Sequence, residues 1–221
     1  MRGRFITFEG GEGAGKSTQA SLLARRLQDT LAVTVVSTRE PGGSAGAEVI
    51  RYILLSGAAK PLGAETETLL FAAAREDHVS STIRPALERG DWVVCDRFID
   101  STRVYQGALG HVDPRIIRGL ERVTIADARP DLTFILDLPA EVGLERAAAR
   151  RGQQGADRFE GEAVAFHTAL REAYREIAAA EPDRCALIDA QRPQSAVAEE
   201  IWSVVMRRLE PVPHALAGAN S

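Results

Sequence analysis

The segment Gly10-Gly11-Glu12-Gly13-Ala14-Gly15-Lys16-Ser17 fits the pattern G-x-x-x-x-G-K-[ST]. Its glycines let backbone N–H groups turn inward around phosphate oxygens. Lys16 then reaches the β and γ oxygens of a nucleoside triphosphate, and the Ser17 hydroxyl is a ligand for Mg2+. Lys is rare here: Lys16 and Lys60 are the only lysines among 27 basic residues, so a chance Lys at the one position that needs it is improbable. An apolar segment, Phe5-Ile6-Thr7-Phe8, precedes the loop, and a helical pattern beginning at Lys16 and Thr18 follows it. The helix start adds its dipole to the anion site. The expected nucleotide-binding set is Gly10, Gly11, Glu12, Gly13, Ala14, Gly15, Lys16, Ser17 and Thr18.

Two further charged turns follow apolar runs: Thr38-Arg39-Glu40-Pro41-Gly42-Gly43 and Asp96-Arg97-Phe98. Each offers an Arg that can clamp a second phosphate, and Asp96 can support Mg2+ or orient an acceptor. Either turn alone reads equally well as a surface ion pair. Phe71 and Arg75 stand four apart on a helical pattern, so a ring able to stack on a base adjoins a cation able to donate to a carbonyl. Core filler and a solvated charge are the competing description of that pair. Ser101/Tyr105 and Thr102/Gln106 repeat the same spacing.

These groups need a scaffold. Strand-like runs occur at Arg4–Glu9, Val33–Thr38, Trp92–Cys95, Leu132–Asp137 and Arg184–Asp189. Between them lie helical patterns at Lys16–Gln28, Ala45–Leu55, Ala64–Arg89, Ser101–Gly107, Pro114–Ala128, Glu141–Arg150 and Glu162–Ala179, and Ser195–Leu209 closes the series. This alternation predicts an α/β fold of three layers, a five-stranded parallel sheet with helices on both faces. Sites in such sheets lie beyond the carboxyl ends of the strands, where the P-loop and both charged turns fall. One domain is expected over residues 1–210, with a short polar lid at about 146–160 and a disordered tail at 211–221.

The net charge of −4 supplies no cationic field for a nucleic-acid backbone. No apolar run reaches the roughly 20 residues of a membrane span, and the first residues lack signal-peptide architecture, which predicts a cytoplasmic protein. Cys95 and Cys185 lie far apart in apolar runs and read as structural thiols rather than a metal site or a disulfide.

The order of Phe8-Glu9-Gly10, the P-loop, Thr-Arg-Glu-Pro-Gly-Gly, Phe71-Ala-Ala-Ala-Arg75, Asp96-Arg97-Phe98 and Ser101-Thr-Arg-Val-Tyr-Gln-Gly107 resembles the thymidylate kinases. Arg129-Pro130-Asp131-Leu132 and Asp157-Arg158-Phe159-Glu160 extend the match over about residues 4–190. The resemblance implies phosphorylation of dTMP to dTDP by ATP and Mg2+, a step toward dTTP, by a homodimer. It implies Phe71, Arg75 and Gln106 at the base, Ser101 and Thr102 among the substrate-binding residues, Tyr105 where a ribose 2′-OH would go, and Glu12 near the sugar 3′-OH. Arg39 and Arg97 become acceptor-phosphate ligands, with Ser17 and Asp96 at the metal.

Some members carry an extra Arg in the P-loop. Here Glu12-Gly13-Ala14 offers none, which resembles the bacterial subtype whose lid supplies the catalytic arginine. Arg150 is the first candidate and Arg146 the second, with Arg151 beside them and Arg158 beyond. A nucleoside or other nucleotide kinase with a different acceptor stays open. A P-loop switch is disfavoured, because the chain has no Asn-Lys dipeptide for the guanine-specificity motif.

Overall fold

The apolar runs form five parallel strands: β1 Phe5–Gly10, β2 Val35–Arg39, β3 Trp92–Asp96, β4 Leu132–Asp137 and β5 Cys185–Asp189, in the order β2-β3-β1-β4-β5. The computed structural model describes residues 2–151 and 162–209. Most of the expected lid, Arg158 included, and the expected tail lie outside the described residues. The helices are α1 Lys16–Leu31, α2 Ala45–Leu55, α3 Ala64–His78, α4 Arg84–Glu88, α5 Ile99–Thr102, α6 Pro114–Thr124, α7 Ala140–Arg151, α8 Val164–Ala180 and α9 Gln194–Leu209. Among the described residues no helix is long and apolar enough to cross a membrane.

Side chains alternate across a strand, so each strand serves two cores. Ile6 and Phe8, Trp92 and Val94, Leu132, Phe134 and Leu136, and Ala186 and Ile188 pack on one face against α1 and α9. Phe5, Val93, Cys95, Ile135 and Cys185 face the other way, toward α4, α5 and α8. Leu27 of α1 is fully buried; truncating such a residue to Ala costs about 2–5 kcal/mol. Both cysteines are buried and unpaired, as expected of structural thiols.

The second face also holds a buried polar row that the hydrophobic pattern did not reveal. Thr7 and Thr133 share a 2.7 Å hydroxyl contact across β1 and β4. Arg184, just before β5, donates to Thr133 Oγ1 at 2.7 Å and to both Asp100 oxygens at 2.8 Å. Glu181 accepts from Arg184, Arg103 and Arg129. An unpaired charge here would be strongly destabilising, so this network fixes how α5 seats on the sheet.

Two helical expectations need correction. The single helix over Ala64–Arg89 is α3, a π-helical turn at Val79–Ile83, and α4. Pro85 lacks an N–H and its ring crowds the carbonyl four residues back. The π turn absorbs that conflict, with Arg84 N bonded to Val79 O. Likewise Ser101–Gly107 is the end of α5 followed by a π-helical segment at Arg103–Ala108, with Leu109 N bonded to Val104 O at 3.0 Å.

Candidate active site

The P-loop joins β1 to α1 with Gly10, Gly13 and Gly15 at positive φ (131°, 66° and 90°), which explains glycine at each. The loop also meets α7 backbone to backbone. A Cβ on Gly13 would lie 2.0 Å from Gly143 O, and one on Gly143 would lie 2.4 Å from Glu12 O. Lys16 is buried and donates to Gly11 O at 2.7 Å. Ser17 Oγ donates to Asp96 Oδ2 at 2.5 Å. Asp96 Oδ1 is buried with no hydrogen-bond partner among the described residues. Thr18 is exposed at the start of α1.

One cleft of about 220 Å³ is lined by Glu12, Ser17, Arg39, Phe71, Arg75, Asp96, Arg97, Ser101, Thr102, Tyr105 and Gln106. Every residue expected to touch the acceptor therefore lies on one concave surface. Sequence reasoning missed Glu40, Pro41, Arg51, Leu55 and Phe98, which complete it.

Arg97 has φ 69°, unusual for a side chain-bearing residue, at the turn between β3 and α5. It pairs with Glu12 and lies 5.3 Å from the Tyr105 ring. Burial alone would raise the Glu12 carboxyl, but Arg97 and Lys16, then His167 and Arg150, outweigh it and bring its pKa down to about 2. An acid inside a phosphate cradle is tolerable here because cations surround it. Arg39 is exposed and bonded to Glu48 Oε1 at 3.1 Å, and Arg51 donates to Pro41 O at 2.6 Å.

Arg75 is buried, not a solvated charge. It donates to Glu40 Oε2 at 2.8 Å, Thr102 Oγ1 at 3.0 Å and Phe98 O at 3.1 Å. Glu40 also contacts His78 Nδ1 at 3.1 Å. These three bonds leave part of its five-donor fork unused, and they hold the guanidinium between the turn after β2 and the segment 98–102. Phe71, one turn earlier, is half-buried at the cleft wall.

A second groove runs beside the P-loop, lined by Gly13, Ala14, Gly15, Thr18, Arg146 and the segment Ala190–Gln194. Arg146 donates to Ala190 O at 3.0 Å. The two α7 arginines thus diverge: Arg146 lies in this groove, and Arg150 lies within electrostatic reach of Glu12. The 190–194 segment carries no sequence signal of its own; only its place after β5 marks it.

A five-stranded parallel sheet with a P-loop at the end of β1 is also what similar proteins of known family show. The family model for thymidylate kinase matches residues 8–201. The thymidylate kinase of Bradyrhizobium diazoefficiens is 63% identical over 212 residues, 96% of this chain and 92% of that one. That of Rhodopseudomonas palustris (strain TIE-1) is 61% identical over 223 residues, covering 100% of this chain and 95% of its own. The crystal structure of thymidylate kinase from Ehrlichia chaffeensis superposes with a TM-score of 0.74 at 35% identity, covering 93% of this chain and 99% of that one. By the extent and the level of this match, the chain belongs to the thymidylate kinase family.

Proposed function

We propose that the protein transfers the γ-phosphoryl group of ATP to dTMP, giving dTDP and ADP. The observation that carries this reading is the shared cleft, in which a base-sized wall of Phe71, Arg75 and Gln106 runs toward Glu12 and Arg97 at the lip of the P-loop. An acceptor seated with its base on that wall points its phosphate at Lys16. Phe71 stacks on the pyrimidine, while Arg75 and Gln106 read its edge. Tyr105 packs where a 2′-OH would need room, and Glu12 meets the sugar. Ser101 and Thr102 serve mainly by holding Arg97 and Arg75. Arg97, with Arg39 at the rim, binds the acceptor phosphate.

The acceptor phosphate is already anionic near neutral pH, so no general base is required. Catalysis is positioning and charge. Lys16 and Arg97 stand at the transferring group, and Arg150 is the α7 arginine that joins them. Arg146 holds the donor base in the second groove. Closing the cleft keeps water from competing as nucleophile.

The oxygen donors fit a hard cation. Ser17 Oγ and the unpartnered Asp96 Oδ1 are the ligand types that Mg2+ takes alongside waters and phosphate oxygens. Mg2+ held there would offset the charge of the β and γ phosphates. A homodimer fits the exposed apolar side chains of the adjoining helices α2, α3 and α6, among them Val49, Tyr52, Leu69 and Val123. A cytoplasmic location is part of the same reading.

The acceptor profile tests it. With ATP and Mg2+, turnover should be fastest with dTMP, slower with dUMP, and slight with dCMP, AMP and thymidine. Preference for thymidine over dTMP would assign the cleft to a nucleoside kinase instead.

A further inference from the structure

Glu9 is the penultimate residue of β1, on the face covered by α5 and α8, and its side chain is fully buried. Oε1 accepts from Phe98 N at 2.7 Å and Ser101 N at 3.2 Å. Oε2 accepts from Ser101 Oγ at 2.7 Å and Tyr174 Oη at 3.0 Å. Those two hydroxyls lie 2.9 Å apart, and each is within reach of Arg97 Nη1, at 3.3 Å and 3.4 Å. One carboxylate therefore underlies both the main chain and the side-chain seat of Arg97.

We infer that Glu9 is a positioning residue for Arg97, its charged carboxylate orienting the Ser101 and Tyr174 hydroxyls and the turn so that the guanidinium stays aimed at the acceptor phosphate. The inference rests on the dTMP kinase reading above. Glu9 Oε2 and the two hydroxyls make a triangle of three contacts, and each hydroxyl brings one proton. With Glu9 ionised, the two hydroxyl protons take the two contacts to Oε2 and none is left to face the guanidinium. The hydroxyl lone pairs then accept from Arg97. An amide at position 9 brings two more protons, so four compete for three contacts and one is driven toward Arg97. Protonation acts through charge, removing an anion that attracts Arg97.

Arg97 itself sits at positive φ, so its position depends on such outside support. Burial, and then the Asp100 carboxylate, raise the Glu9 pKa to about 7, against the lowering effects of Ser101, Arg97 and Phe98 N–H. The titratable and charged groups around it are Asp100 on α5, Arg97 on the turn, Tyr174 on α8, Lys16 on α1, Cys95 on β3 and Tyr105 on the π segment. The carboxylate thus changes charge near neutral pH.

Glu9→Gln separates positioning from scaffolding, since its Oε1 still accepts both main-chain N–H groups. Steady-state kinetics of wild type and Glu9→Gln are compared from pH 6 to pH 9. At pH 8 the variant should keep the wild-type melting temperature and ATP KM, while kcat/KM for dTMP falls about 10- to 100-fold, as for a catalytic group displaced by about 1 Å. The wild-type to variant ratio should shrink as pH drops below about 7, where wild-type Glu9 gains its proton. Ionisation of dTMP cancels in that ratio. A ratio that is unity or constant across the range overturns the inference. If Glu9→Gln does not fold, Tyr174→Phe decides. Losing one donor to the carboxylate should move the acidic fall of kcat/KM for dTMP to higher pH, and an unmoved fall overturns the inference. Failure of the kinase reading itself would appear separately, as wild-type enzyme that does not turn over dTMP.

Discussion

Replacing Arg75 with Lys keeps the charge and removes the fork. A Lys that remains paired with Glu40 has one nitrogen to offer, whereas Arg75 reaches Glu40, Thr102 and Phe98 O from three nitrogens. The Thr102 hydroxyl can rotate to another partner. Phe98 O cannot, and a buried carbonyl without a donor costs about 1–3 kcal/mol. The guanidinium also packs 5.3 Å from the Phe98 ring centre, a contact that Lys weakens. We expect a loss of about 2 kcal/mol, read as a fall in melting temperature of roughly 4–8 °C for a chain this size. The remaining Arg75 donors are those assigned to the pyrimidine carbonyl, so kcat/KM for dTMP should fall at least about tenfold with ATP KM unchanged, about 1.4 kcal/mol or more. Thermal melts with and without dTMP, alongside kinetics in both substrates, measure the two effects separately. A Lys variant that melts and binds dTMP like wild type would refute both the structural and the recognition role.

The two α7 arginines should separate kinetically: Arg146→Ala should raise ATP KM, and Arg150→Ala should lower kcat under saturating substrates. Arginines that stabilise transferring phosphoryl groups can contribute on the order of 10³–10⁵ in rate. A triple change of Arg146, Arg150 and Arg151 to Ala that binds both nucleotides and keeps kcat would move that charge to another residue. Glu181→Gln should cost stability at neutral pH but not in acid. Burial raises the Glu181 carboxyl, yet Arg184 and Arg103 outweigh it and bring its pKa to about 2, below the ordinary 4.5. Its contribution is therefore present above pH 4.5 and lost as pH falls toward about 2, so denaturation curves of wild type and variant should converge on acidification.

Strands and the P-loop were legible in the sequence because continuous apolar runs and a glycine-spaced Lys each have one physical use. The place of the cleft was legible through charged turns after β2 and β3, since parallel topology delivers strand ends to one edge. Two kinds of feature were not. The π turns at 79–83 and 103–108 depend on local strain and on neighbours such as Ile117 against Gly107, and a period of 3.6 assumes them away. The polar row of Thr7, Glu9, Thr133 and Arg184 interrupts hydrophobic alternation at single positions, and its partners arrive from α5 and α8, far along the chain. Arg146 and Arg150 share a helical face pattern, and only the placement of the 190–194 segment distinguishes their surroundings.

The Gly13–Gly143 crossing has a mechanical consequence. With a carbonyl already where either Cβ would stand, no side chain cushions the contact, and α7 cannot slide toward the P-loop. Swinging about the crossing is the motion left to it, which makes the glycine pair a fulcrum. Arg150 lies seven residues along the helix from Gly143, about 10 Å at roughly 1.5 Å per residue. A tilt of about 10° on that arm moves the Arg150 end by about 2 Å, the difference between a distant charge and a hydrogen bond. A methyl group at either glycine would lift the helix off its pivot and displace the far end of the lever most.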